Sequence, residues 1–211
     1  MKNWMIRMDT DGKSHEGFQW NPINEWTEAF DWNERPECGG GLHGQNESAW
    51  GYVNIGNRLC LCEVEKFVKI DNEKGKAKRA MIVAINENIP AKYLEYTSIS
   101  LIKDATLNLP QAKKIGGDIH MEKGGTLHLP QSKKIGGYIW VEENATLNLP
   151  QAEEIYGDIW VGEGATLHLP QVRKIGGNLR VGYGGTLHLP QVEVKIGGNL
   201  RVGDGATLHW K

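Results

Sequence analysis

Leu169-Pro170-Gln171-Val172-Arg173-Lys174-Ile175-Gly176-Gly177-Asn178-Leu179-Arg180-Val181-Gly182-Tyr183-Gly184-Gly185-Thr186-Leu187-His188-Leu189 is one row of a pattern that restarts every 20 residues, at Pro110, Pro130, Pro150, Pro170 and Pro190. A fixed period of this length is the mark of a solenoid, in which each coil contacts only its neighbours. Stacking the rows generates apolar columns: Leu107 to Leu187, Leu109 to Leu189, Ile115 to Ile196, Ile119 to Leu200, and Met121 to Val202. Within a row the apolar residues alternate, as in Leu-x-Leu and Ile-x-Val, which is strand periodicity. Each coil therefore reads as about three short strands. Proline after the second leucine cannot continue a ladder, and the glycine pairs suit corners with positive φ. The fold class expected is mainly β: a C-terminal β-solenoid (β-helix) of about 20-residue coils behind a small α+β N-terminal domain.

The frame weakens backwards from Pro110, and Pro90 aligns with it as the start of a capping coil, so the boundary falls between residues 1–89 and 90–211. The last row carries one extra residue, Gln191-Val192-Glu193-Val194-Lys195-Ile196 against Gln171-Val172-Arg173-Lys174-Ile175, and a bulge is expected there. Trp210 takes the place of an interior leucine and is expected to lie across the end of the core.

Outward positions carry the functional information. One column runs Asn108, His128, Asn148, His168, His188, His209. Its neighbours are roughly 4.8 Å apart. Histidines at that spacing suit metal binding or joint titration, but no carboxylate or cysteine joins them, and the reading is a polar ladder at the surface. A second column runs His120, Trp140, Trp160, Arg180, Arg201. Aromatic and arginine side chains in one stripe are the material of protein-binding hot spots. The competing reading packs the tryptophans on the N-terminal domain. Lys113, Lys133, Glu153, Arg173 and Lys114, Lys134, Glu154, Lys174 form a charged face with cross-rung pairing.

Residues 1–89 have no repeat. Strands are expected at Trp4 to Met8, Arg58 to Glu63 and Arg79 to Ala84, a short helix at Trp26 to Phe30, and turns at Pro22, Pro36 and Gly39-Gly40-Gly41. Tyr93 and Tyr96 are placed to pack at the junction. Cys38, His43, Cys60 and Cys62 are of the types that zinc prefers. Their spacing is not a standard one, and buried, unligated cysteines are the favoured reading. No cofactor is expected. Phosphate-binding loops, Ser/His/Asp arrangements and His-Glu-x-x-His are absent from the sequence.

Twenty-four basic and 26 acidic residues leave a formal charge of −2, which points away from nucleic acid as a partner. No segment approaches the apolar length of a membrane span, and three cysteines suit a reducing compartment, so a cytoplasmic location is expected.

The rows resemble those of receptor L-domain and leucine-rich-repeat-like solenoids through motifs such as Leu169-Pro170-Gln171-Val172-Arg173-Lys174-Ile175-Gly176-Gly177-Asn178-Leu179. They depart from them in the short, regular period and the lack of cysteine caps. That resemblance implies a binding scaffold. In the N-terminal part, Gly17-Phe18-Gln19-Trp20, Trp26-Thr27-Glu28-Ala29 and Glu37-Cys38-Gly39-Gly40-Gly41-Leu42-His43-Gly44 resemble an uncharacterised domain of phage and bacterial proteins, which implies a phage or prophage setting. The functional expectation is a non-enzymatic protein-binding module acting through the solenoid, such as an inhibitor of a bacterial defence system. One alternative is an enzyme: His43 after a glycine run, with Glu63 or Glu65 on a later strand, resembles the layout of ADP-ribosyltransferase-like domains, and the solenoid would then be a targeting arm. Another is a structural protein that self-assembles through its solenoid ends.

Overall fold

The structure, a computed structural model, describes residues 3–14, 17–46, 56–71, 74–95, 97–190 and 193–210. Five antiparallel strands form the N-terminal part: β1 (Asn3–Asp9), β2 (Trp26–Glu28), β3 (Leu42–Asn46), β4 (Arg58–Lys69) and β5 (Lys74–Ile85). β1 pairs with β3 and β4, and β5 pairs with β3 and β4, so four strands close into a barrel-like ring with β2 added alongside β3 on β5. The expected strands are all present, and β4 and β5 run well past their expected ends. The expected α+β character is corrected: no α-helix occurs among the described residues, and Trp26–Glu28, expected as helix, is a strand. Its Thr27 is buried where β2 pairs with β5, and that pairing decides the local conformation.

Successive residues of β1 and β4 point to opposite faces, and both faces are buried. Met5, Cys60, Cys62 and Val64 join Trp20, Leu42, Ala77, Ala80 and Ile82 in the barrel's own core. Ile6, Met8, Leu59 and Leu61 belong to a second core that continues through Ile89, Leu94, Ile99 and Leu101 into the solenoid. The β1–β4 wall thus closes one end of the solenoid. Gly56 extends the closure as a backbone rung: its N–H donates to Ser100 O at 3.2 Å and its carbonyl accepts from Ile102 N at 3.2 Å. Gln111 Nε2 donates to Asn86 O and Ile89 O at 2.8 and 3.0 Å, and Tyr93 packs on Trp4 with ring centroids 5.5 Å apart. Tyr96 lies outside the described residues.

From Ile99 onward the chain winds into three parallel sheets of six, five and six strands. They are built from the Thr-Leu-Asn/His, Lys-Ile and Ile-x-Val segments, and each pairs in register with the same segment of the next row. The five apolar columns fill the interior and stay at 3% exposure or below as far as Leu189. Two further interior columns of small residues were not anticipated: Ala112, Ser132, Ala152, Val172, and Ala145 with Ala165. Ser132 satisfies its buried hydroxyl by donating to Ala112 O at 2.6 Å. One corner is left-handed in every row, at Asp104, Gly124, Asn144, Gly164, Gly184 and Gly205. Glycine, asparagine and aspartate are the residues that tolerate such a backbone.

The extra residue of the last row falls in the corner before Lys195, and pairing resumes at Lys174 with Lys195 and Leu179 with Leu200. Gln191 and Val192, the first two residues of the stretch to Ile196 in which the bulge was expected, lie outside the described residues, as does the side chain of Trp210. In this last coil Leu200 and Val202 are 47% and 45% exposed. Among the described residues no helix is long and apolar enough to cross a membrane.

Candidate functional site

Strand register places His120, Trp140, Trp160, Arg180 and Arg201 side by side, each on the outward position of its rung. The flanking Ile and Val of each strand point inward, so the alternation that builds the core also aims this column at solvent. Trp140 and Trp160 are 44% and 37% exposed, and their rings meet edge to face at 4.9 Å. They do not pack on the N-terminal barrel. The His120 ring lies against Trp140 with centroids 5.7 Å apart and planes tilted by 60°, and its Nε2 is 3.1 Å from Glu142 Oε1. Arg180 and Arg201 are exposed, and neither is in an ion pair among the described residues. Beside them, the backbone N–H of Asn178 holds the Asp158 carboxyl below the usual carboxylate range.

In the histidine column, His168, His188 and His209 lie on neighbouring rungs. His168 and His188 stack at 4.2 Å and 10°, and His188 and His209 at 4.6 Å and 12°. Asn148 Nδ2 lies 3.0 Å from His128 Nδ1. Parallel rings do not converge their nitrogens on a common point as a metal requires. On the charged face, Lys133 pairs with Glu153 at 3.3 Å and Lys134 with Glu154 at 3.1 Å. Lys174 lies over the Tyr156 ring, whose hydroxyl donates to Glu154 at 2.7 Å. Exposed pairs of this kind contribute little stability.

The four residues suggested for zinc are divided between two places. Cys38 and His43 line a surface cleft, whereas Cys60 and Cys62 are in the barrel core beside Arg7 and Asp9. No group of three or more ligand-type side chains able to hold a metal occurs among the described residues. Burial pushes both core thiols up, Cys62 to about 12. Since the thiolate is the reacting form, a disulfide-exchange reagent at pH 8 is expected to label only the exposed Cys38 in the folded chain and all three cysteines in denaturant. Colorimetric thiol counting checks this, and a native count of two or three would show that the barrel core is open.

The cleft has a volume of about 840 Å³ and is lined by β3, by Ser14, Gly17, Phe18 and Trp20, and by the loop at residues 29–41. Its apolar wall is Phe18, Trp20 and Phe30, and its polar groups include Asp31, His43 and Lys74. Gly39, Gly40 and Gly41 all have positive φ, and the Gly41 N–H donates to Asp31 Oδ1 at 3.1 Å. Lys76, fully buried, fastens the loop by donating to Asn33 Oδ1 at 3.0 Å and Gly39 O at 2.8 Å. Burial, then the charges of Lys76 and Lys74, lower the His43 pKa below the usual histidine value. Neither glutamate of the enzymatic layout lines this cleft: Glu63 pairs across strands with Trp4 and Met81, and Glu65 forms an ion pair with Arg79 at 2.9 Å.

The chain is thus a β-solenoid repeat protein closed at one end by a small β-barrel. No family model, curated protein or solved structure matches it.

Proposed function

We propose that this protein is a non-enzymatic binding module whose solenoid presents the His120, Trp140, Trp160, Arg180, Arg201 stripe to a protein partner. The observation that carries this reading is the exposure of two tryptophans, packed edge to face, in register with two arginines that form no ion pair among the described residues. Large aromatic side chains on a stiff sheet bury area at low conformational cost, and exposed guanidinium groups select carboxylates. The partner surface therefore carries an apolar contact for the tryptophans and acidic groups opposite Arg180 and Arg201. An inhibitor of a bacterial defence enzyme is one concrete form, in the setting that the N-terminal resemblance implies.

The test is affinity capture from bacterial lysate with the intact chain and with a Trp140→Ala, Trp160→Ala, Arg180→Ala, Arg201→Ala variant, reading both protein and nucleic acid. A stoichiometric protein bound by the intact chain is expected to be lost in the variant, each tryptophan contributing about 2 kcal/mol or more. The melting temperature should barely move, because these side chains lie outside the core. Retention of the same protein by the variant would remove the stripe from the reading, and capture of nucleic acid alone would replace the partner class.

A second reading rests on the exposure of Leu200 and Val202: the edge of the last coil offers unpaired strand groups beside apolar side chains, a template for a second copy. The opposite end is covered by the barrel, so stacking through this edge would join two chains and stop.

A further inference from the structure

Three imidazoles lie ring on ring down one face of the last coils. In-register pairing of the strands Thr166–His168, Thr186–Leu189 and Thr207–Trp210 sets His188 between His168 and His209, with centroids 4.2 and 4.6 Å away and planes tilted by 10° and 12°. The side chains that share this face on the same strands are Thr166, Thr186 and Thr207, and the strands carry no acidic residue. Among the described residues, the nearest titratable ones along the chain are Glu163, Tyr183 and Asp204, in the turns before these strands, and Arg173 and Glu193 after them. Flat contact suits neutral rings. Two imidazolium ions on adjacent rungs repel at this distance, with no opposite charge on their own strands. The rest of the column is built differently: His128 stands between Asn108 and Asn148, and its Nδ1 is 3.0 Å from Asn148 Nδ2. Asparagine thus fits the same outward position, and His128 has no histidine on either neighbouring rung. The ladder also sits where packing is thinnest. A coil is held by its neighbours alone, and in the last described coil Leu200 and Val202 are 47% and 45% exposed, whereas Leu179 and Val181 of the same columns are buried.

We infer that the His168, His188, His209 ladder is a proton-sensitive latch on the last two coils, closed by neutral rings and loosened when neighbouring rings are protonated. The sign follows from the repulsion. A folded ladder that resists its second and third protons binds fewer protons than the unfolded chain, so its stability is complete above the ordinary histidine value of about 6.5 and is lost as the pH falls below it. The latch does not depend on what the outward stripe binds, although Arg180 and Arg201 stand on the same two coils.

Native-state hydrogen exchange of the full chain at pH 7.5 and 5.5, expressed as protection factors, reads the latch at two amides. Thr186 N donates to Ala165 O at 2.7 Å and Thr207 N to Gly185 O at 2.8 Å, and both bonds must open when the last coils loosen. Their protection is expected to fall at the lower pH by about tenfold for each proton that the folded ladder excludes, one unit below the ordinary histidine value. His188→Asn breaks both stacks and should remove most of that fall. His128→Asn, which breaks none, should retain it in full. His168→Asn keeps one stack and should show an intermediate fall, and it repeats the test should the His188 variant melt at a lower temperature. The inference is overturned if protection of Thr186 and Thr207 does not change between the two pH values, if His188→Asn and His168→Asn both show the parent's fall, or if His128→Asn removes it as well.

Discussion

Gly157→Ala is expected to destabilise the folded chain by about 3 kcal/mol, the upper part of the range for overpacking, whereas Gly184→Ala, the same change at the left-handed corner of the next coil, is expected to cost about 1 kcal/mol. The difference is one of cause. A Cβ at Gly157 would stand 2.6 Å from three atoms of the preceding coil, Gly137 C, Gly137 O and Tyr138 N, all of them backbone. Nothing there can rotate away. The coils would have to separate, against the rung bonds from Gly157 N to Gly137 O at 3.2 Å and from Tyr156 N to Ile135 O at 3.0 Å. Because the interior columns are continuous, separation at one corner also loosens Ile155 and Ile159, buried to 1% exposure on either side. A methyl group at Gly184 would meet no atom within 4 Å, and φ there is +61°, so only the left-handed backbone resists substitution. Urea denaturation of the two variants measures the difference. Equal losses would mean that backbone strain, not the approach of adjacent coils, is what glycine relieves at both corners.

How far the sequence discloses this molecule depends on repetition. The solenoid is legible because each position is stated several times: a leucine at Leu107 is ambiguous, and leucines at 107, 127, 147, 167 and 187 are a column. The outward stripe is legible for the same reason, since inward neighbours on both sides fix the direction of Trp140 and Trp160. The barrel states each position once. In β4, Leu59, Cys60, Leu61 and Cys62 are all buried, two facing the solenoid and two the barrel interior, so alternation between polar and apolar residues is lost. Such a run announces a strand without saying what lies on either side of it. The cleft was less visible still, because Phe18, Phe30, His43 and Lys74 meet only through loop conformation and strand pairing, and charged residues such as Arg7 and Lys76 are seldom fully buried. The glycine run at 39–41 beside His43 was the one trace of it in the sequence.

Asp9→Ala is expected to lower stability by about 3–5 kcal/mol, the scale for leaving a buried charge without its partner. Asp9 is 1% exposed and ties three parts of the fold together. Its carboxylate accepts from Arg58 Nε and Nη2 at 2.8 and 2.9 Å, from Gly12 N at 3.1 Å and from Cys60 Sγ at 3.4 Å, and its backbone O accepts from Asn57 N at 3.0 Å. The last bond sits next to Gly56, the rung laid on the first coil, so the same residue anchors the barrel and its junction with the solenoid. The hydrogen bond to Asp9 raises the Arg58 pKa, as a stable ion pair should. Arg7 is in a different position. It is fully buried, its Nη1 is 3.7 Å from Asp9 Oδ2, and its Nε and Nη1 have no hydrogen-bond partner among the described residues. Its guanidinium lies 3.8 Å from the centre of the Trp20 ring, a contact that offsets part of that deficit. Removing Asp9 leaves Arg7 as an uncompensated cation inside the barrel, because Arg58, 27% exposed, can turn to water and Arg7 cannot. Arg7→Met should therefore change stability by less than about 1 kcal/mol, replacing an ill-satisfied charge with an apolar chain of similar length. In the double variant Arg7→Met should recover about 2 kcal/mol of the Asp9→Ala loss, since the stranded charge is then gone. Chemical denaturation of the four proteins completes the cycle. Additive losses would instead assign the Asp9 effect to its bonds with Arg58, Gly12 and Asn57, and would leave Arg7 a bystander in the barrel core.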